Sequence, residues 1–245
     1  MSIRKICPFL IQFSAFALVL PAAATTIAYN TSLASPTTNP ATSACYAGTS
    51  GCLNGGFTVS SDGSTELGLR AAIRGKGLAP EVGNDYTVPL GTSGIYAIWN
   101  YSFSIDTRPN GVGTATLSSF TYLLTLTDLT TGKSNSFNPL GISDNYNYGP
   151  SGVTEYSFFY SPTKQWGAQN SENFNFSGFG TPGYNPNSTD GYQITLSEFS
   201  GSVLVNSDTI LVNDTAPEPA TIFLFGTGLL AAALIARRRL VDGRL

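Results

Sequence analysis

The 245-residue chain predicts an all-β fold, an antiparallel β-sandwich of about eight to ten short strands. It also predicts one apolar helix at each end, an N-terminal signal helix and a single C-terminal transmembrane helix. Three observations carry this expectation. Apolar and polar residues alternate in short runs through the middle of the chain. Turn residues, among 26 glycines and 14 prolines, separate those runs. Long uncharged apolar stretches occur near the two ends, where a strand pattern gives way to that of a membrane-inserting helix.

The first element is an address. Arg4 and Lys5 precede an apolar run from Ile6 to Leu20, and Ala22 and Ala24 form the small-x-small pattern that signal peptidase accepts. Residues 1–24 therefore read as a secretory signal peptide, passed through the Sec translocon and cleaved after Ala24. Residues 25–56 read as an extended arm rich in Thr, Ser and Pro. Cys45 and Cys52 lie within it, separated by six residues that include Gly48 and Gly51. In an oxidising compartment such a pair predicts a structural disulfide.

Residues 57–216 read as the sandwich. Leu67, Leu69, Ala71 and Ile73 alternate with Gly68, Arg70, Ala72 and Arg74, the pattern of a half-buried strand. Trp99, Tyr101, Phe103 and Ile105 share one face of the next clear strand. Phe120, Tyr122, Leu124 and Leu126 mark a third. Tyr156–Tyr160, Tyr192–Leu196, Val203–Val205 and Thr209–Val212 complete the series. Arg108-Pro109-Asn110-Gly111, Thr130–Lys133, Thr181-Pro182-Gly183 and Thr189-Asp190-Gly191 supply the turns.

The final element, residues 217–245, begins Pro217-Glu218-Pro219. An uncharged run from Ile222 to Ala236 follows, then Arg237-Arg238-Arg239. An apolar helix ended by three arginines is a stop-transfer signal oriented by the positive-inside rule. The preceding domain then lies on the far side of the membrane.

Composition limits the chemistry. The chain has no histidine, which excludes Ser-His-Asp and Cys-His catalysis and His-ligated metals. Its formal charge is −3 overall. Residues 25–216 alone hold six cations against thirteen acids, a net of −7. That surface does not suit nucleic acid. No cofactor or metal site is expected. The oxygen-rich turns Asp62–Glu66 and Asp144–Asn147 match no EF-hand and read as Asx turns. Ser161-Pro162-Thr163-Lys164 spells S-x-x-K without its partner motifs. Glu66, Glu81, Glu155, Glu172 and Glu198 are candidates for an acid-pair glycan hydrolase, but no spacing selects a pair. The best binding lead is the set of aromatic, amide-rich loops carrying Tyr146, Tyr148, Trp166 and Tyr184. Such rings can stack on sugar faces while amides share hydroxyls; equally, they can cap the core.

The terminal segment resembles the PEP-CTERM sorting signal of Gram-negative surface proteins: Pro217-Glu218-Pro219, an apolar helix and the arginines 237–239 occur in that order. Shorter stretches, Glu66–Ala71, Trp99–Ile105, Phe120–Asp128 and Gln169–Phe174, are similar to segments of other cargo proteins of this kind. The resemblance implies recognition of the tripeptide by exosortase, a membrane-embedded transpeptidase, and removal of the helix. It implies an inner-membrane-anchored precursor and a mature form at the cell surface or outside the cell. The expected function is that of a non-enzymatic matrix protein in biofilm or floc. A module binding exopolysaccharide is the alternative, and the acid-pair hydrolase a further one.

Overall fold

A computed structural model describes residues 25–34, 55–149, 152–154 and 161–215. The signal peptide, Cys45 and Cys52, the run Tyr156–Tyr160 and the sorting signal from residue 216 onward lie outside the described residues. The strands are β1 (Thr26–Thr31), β2 (Phe57–Ser61), β3 (Glu66–Ile73), β4 (Gly77–Leu78), β5 (Glu81–Val82) and β6 (Asp85–Pro89). Then come β7 (Thr92–Ser93), β8 (Tyr96–Ala97), β9 (Trp99–Asp106), β10 (Thr121–Asp128) and β11 (Ser134–Phe137). The last are β12 (Tyr146–Gly149), β13 (Gly152–Thr154), β14 (Gly167–Asn173), β15 (Gly191–Ser200) and β16 (Val203–Thr215).

Two sheets hold most of these strands. One runs β1-β2-β3-β9-β14-β12-β13 with β4 beside β3, and the other runs β11-β10-β15-β16-β6-β5. Pairing is antiparallel except between β16 and β6, which run parallel. Alternation decides which faces meet. Leu67, Leu69, Trp99, Tyr101, Phe103 and Ile105 from the first sheet pack on Leu124, Leu126, Ile194, Leu196, Ile210 and Val212 from the second. The single face expected for Trp99, Tyr101, Phe103 and Ile105 is the face that enters the core. The turn expected at Arg108–Gly111 is a 3-10 turn at Pro109–Gly111, in which Asn110 takes φ 60°; asparagine tolerates this left-handed region better than most residues.

The described residues form sixteen strands where eight to ten were expected, four of them only two residues long and too short to leave an alternation; three further features depart from the sequence reading. β3 is buried on both faces, not one. Gly68 is covered by Leu33 and Phe57, which would have to shift to admit a Cβ, since it would stand 2.6 Å from Leu33 Cδ2. Arg70 is fully buried, its guanidinium 4.5 Å above the Phe57 ring and its Nη1 donating to the Gly55 carbonyl at 2.8 Å. β16 is one continuous strand of 13 residues where two fragments were expected. The apparent gap arises because Asn206 and Asp208 occupy inward positions. The sheet also reaches back to β1, whose Ile27 and Ala28 pair with Ser60 and Val59. Among the described residues the helical turns are short 3-10 turns, and no helix is long and apolar enough to cross a membrane.

Candidate functional site

β14 ends at Asn173, and the chain then loops over one end of the sandwich before entering β15. Asn173 fixes the start of this loop. Its Nδ2 donates to the Ala97 and Trp99 carbonyls at 2.9 and 3.0 Å, and its Oδ1 accepts from the Ala97 amide at 2.9 Å. Phe174 turns inward and stacks on Trp99 with centroids 4.6 Å apart, while Tyr184 and Tyr192 meet it at 4.9 and 4.7 Å. Asn135 on β11 holds the loop from the second sheet, its Nδ2 donating to the Gly178 and Gly180 carbonyls at 2.7 and 3.1 Å. Gly180 passes so close to the Phe174 carbonyl that a Cβ would collide with it.

The result is an open cleft of about 360 Å³. Phe176, Tyr184, Asn135 and Asn175 are among its walls. The Asn175 amide nitrogen is committed to the Ile95 carbonyl at 2.8 Å. Thr181, also in the wall, is buried, and its hydroxyl meets no hydrogen-bond partner. Rings and amides around an open depression form a surface that can take a small polar, C–H-rich ligand.

Of the four aromatic residues singled out by sequence, one lies at this cleft. Tyr184 lines the cleft, half-buried against the core. Tyr146 is buried on β12, and its strand neighbour Tyr148 pairs with Gly167. Trp166, immediately before Gly167, lies at the opposite end of β14 from the cleft. It is half-buried, with the Arg108 guanidinium 4.8 Å above its ring. Phe176 and Thr181 were missed. The only signal for them was their place in the Gly- and aromatic-rich run that also holds Tyr184.

The carboxylates form a second set of features. Glu66 and Asp106 stand opposite each other on β3 and β9, both buried. Burial, together with the nearby Glu66 charge, raises Asp106 to about 7, against partial relief from the Arg108 amide. Burial also raises Glu66. Glu198 is raised by burial to about 7 even though Thr65 and Tyr122 donate hydrogen bonds to it at 2.6 and 3.2 Å. Burial and the Asp144 charge lift Glu172 to about 8, and burial and the Asp190 charge lift Asp214 to about 7. Asp62 instead accepts from the Ser64 and Thr65 amides, both at 2.7 Å, as the Asx-turn reading expects. Among the described residues, no three acids or cysteines are grouped as metal ligands.

β16 carries the chain out of the fold. Thr215, its last residue, remains in the ladder opposite Pro89 and accepts from the Leu90 amide at 3.1 Å. The sorting tripeptide starts two residues later. Residues 215–239 match the family model of the PEP-CTERM protein-sorting motif. No curated protein and no solved structure matches the chain. The PEP-CTERM motif implies export, a membrane-anchored sorting signal and processing by exosortase. The match begins at the residue where β16 ends, so the sorting signal follows the folded domain without a spacer.

Proposed function

We propose that this protein is a non-enzymatic matrix component. It is exported as a membrane-anchored precursor, cut by exosortase near Pro217–Pro219, and released to the cell surface or the extracellular polymer. The PEP-CTERM motif directly after β16 carries this reading. The non-enzymatic part is supported by the acids: Glu66, Asp106 and Glu198 are buried, where a polysaccharide strand does not reach them. Fractionation of cells tests the reading. Wild type is expected in the extracellular fraction in a form shortened at the C-terminus, and Glu218→Ala is expected to stay in the membrane fraction at precursor size. Full-length protein in the extracellular fraction of wild type overturns it.

The cleft favours a second reading, in which the released protein holds exopolysaccharide through Phe176, Tyr184 and the Asn-rich loop. Protein purified from the extracellular fraction is then expected to bind the host's purified polysaccharide. Phe176→Ala weakens that binding and Trp166→Ala does not. The reverse pattern moves the binding surface to the other end of β14, and no binding dismisses this reading while leaving the first intact.

A further inference from the structure

The end of the sandwich from which the chain leaves has a surface of its own. Around Thr215 the loops are tied together by backbone bonds. The Gly91 amide donates to the Pro186 carbonyl at 2.6 Å, the Asp214 amide to Asp190 at 3.0 Å, and the Leu129 amide to Gly191 at 2.8 Å. The β7–β8 hairpin joins this end through the Asn175–Ile95 bond and the edge-on contact of Phe176 with Tyr96 at 5.4 Å. β3 also finishes here, with the Arg74 amide donating to Ile98 at 2.8 Å.

Three large apolar side chains project from these loops: Ile95 at 78% exposure, Leu129 at 52% and Phe176 at 38%. Of the six cations in residues 25–216, Arg74, Lys76 and Lys133 lie at this end. Arg74 rests 4.5 Å above the Tyr96 ring, while Lys76 and Lys133 are exposed. The acids here are Asp190, half-buried, and Asp128 and Asp214, both buried. Burial and the Asp190 charge raise Asp214 to about 7, so that it is only about half ionised at neutral pH, whereas the Thr130 and Thr131 amides keep Asp128 ionised. Cations therefore dominate what this end shows to solvent.

Position decides what such a surface meets. Six residues lie between Thr215 and Ile222, where the apolar run begins, and the seven peptide steps reach about 25 Å at most. An anchored precursor keeps this end within that distance of the bilayer at every tilt of the domain, whereas the other end comes near only when the sandwich lies on its side. A tether so short gives a high effective concentration, so weak contacts suffice. Cations are attracted to the phosphates of an anionic membrane, and aromatic and aliphatic side chains favour the interfacial region. Apolar exposure alone does not single out this end, because Val203, at 63% exposure, begins the same strand that Thr215 finishes. Proximity and charge make the difference.

We propose that the exit end is a lipid-docking surface. In the precursor, Ile95, Leu129 and Phe176 rest in the headgroup region of an anionic phospholipid membrane, and Arg74, Lys76 and Lys133 contact its phosphates. The proposal rests on the membrane-anchored reading above. The test uses the full-length precursor reconstituted in phosphatidylglycerol/phosphatidylethanolamine vesicles, with native cysteines replaced by serine. A polarity-sensitive fluorophore is placed by Ile95→Cys, Leu129→Cys, Val203→Cys or Phe223→Cys, and the lipids carry headgroup or acyl-chain nitroxide quenchers. The expected result is headgroup quenching at positions 95 and 129 several-fold above that at 203, together with acyl-chain quenching at 223. Joint substitution of Arg74, Lys76 and Lys133 by Gln is expected to reduce the signal at 95 and 129. Equal quenching at 95, 129 and 203 overturns the proposal. Quenching at 223 alone also overturns it but leaves the anchor reading standing. No quenching at 223 removes the anchor reading as well. Environment changes at 95 and 129 that persist in detergent without lipid overturn it in favour of contact between copies.

Discussion

The two sheets are joined by two regions of opposite chemistry. Near the exit end, Trp99, Tyr101, Phe174, Tyr184 and Tyr192 fill the space with rings at centroid distances of 4.6 to 6.2 Å. Between β2 and the β15–β16 pair the filling is polar. Ser60 donates to Asn206 Oδ1 at 2.7 Å, Asn206 Nδ2 donates to Thr65 Oγ1 at 3.2 Å, and Thr65 donates to Glu198 at 2.6 Å. Tyr122 also donates to Glu198, and Tyr86 on β6 donates to the Gly56 carbonyl at 2.9 Å. The aromatic region stabilises through area removed from water and is indifferent to small shifts. The polar region contributes little per bond, but it penalises any missing partner. The first supplies most of the stability; the second supplies register, because only one alignment of β2 against β16 satisfies it.

The largest expected effect lies in the aromatic region. Phe174→Ala removes the ring that four neighbours share and is expected to cost about 3–5 kcal/mol. That is a large part of a typical domain's total stability of about 5–15 kcal/mol. Urea unfolding of the purified protein measures it. Asn206→Ala in the polar region strands the Ser60 hydroxyl and breaks the link from Thr65, for an expected loss of about 1–3 kcal/mol. If Asn206→Ala proves costlier than Phe174→Ala, the assignment of stability to the aromatic region is wrong.

The same contrast explains what the sequence revealed. The aromatic strand 99–105 was legible because its apolar residues keep strict period two, and the structure turns that whole row inward. The polar seam was not legible. Ser60, Asn206 and Asp208 sit at inward positions but read as solvent-facing, and the last two made β16 look like two fragments. Arg70 failed in the same way: its position in an alternating run suggested water, yet Phe57 and the Gly55 carbonyl receive it. Polarity reports exposure only when no partner waits across the layer, and partners distant in sequence, such as Ser60 and Asn206, leave no local sign. The cleft was half legible. Tyr184 was named from its ring-and-amide loop, whereas Phe176 and Thr181 gain their places only from the turn that Asn173 and Asn135 enforce.

The smallest effect sharpens the comparison through pH. Glu198 has an ordinary carboxyl pKa near 4.5 when unfolded and about 7 in the fold, because burial disfavours its charge. Between those values the folded chain holds a proton that the unfolded chain has lost. Stability is therefore complete below about pH 4.5, falls as pH rises toward 7 and levels off above it. Asp106 and Asp214, raised to about 7, and Glu172, raised to about 8, act in the same direction. The protein is thus expected to melt at a higher temperature at pH 5 than at pH 8. Each tenfold difference in proton affinity is worth about 1.4 kcal/mol, or about 3–6 °C in a domain of this size. Glu198→Gln keeps the shape, removes the titrating group and retains an oxygen that can accept from Tyr122 or Thr65. It is expected to narrow the gap between pH 5 and pH 8 by about one to two such steps, leaving the shares of the other buried acids, Glu66 and Asp208 among them. Phe174→Tyr, which adds a hydroxyl but no group titrating in this range, should shift both melting points together. An unchanged pH gap in Glu198→Gln would mean that water reaches the seam, and that its hydrogen bonds, not its dryness, hold β2 against β16.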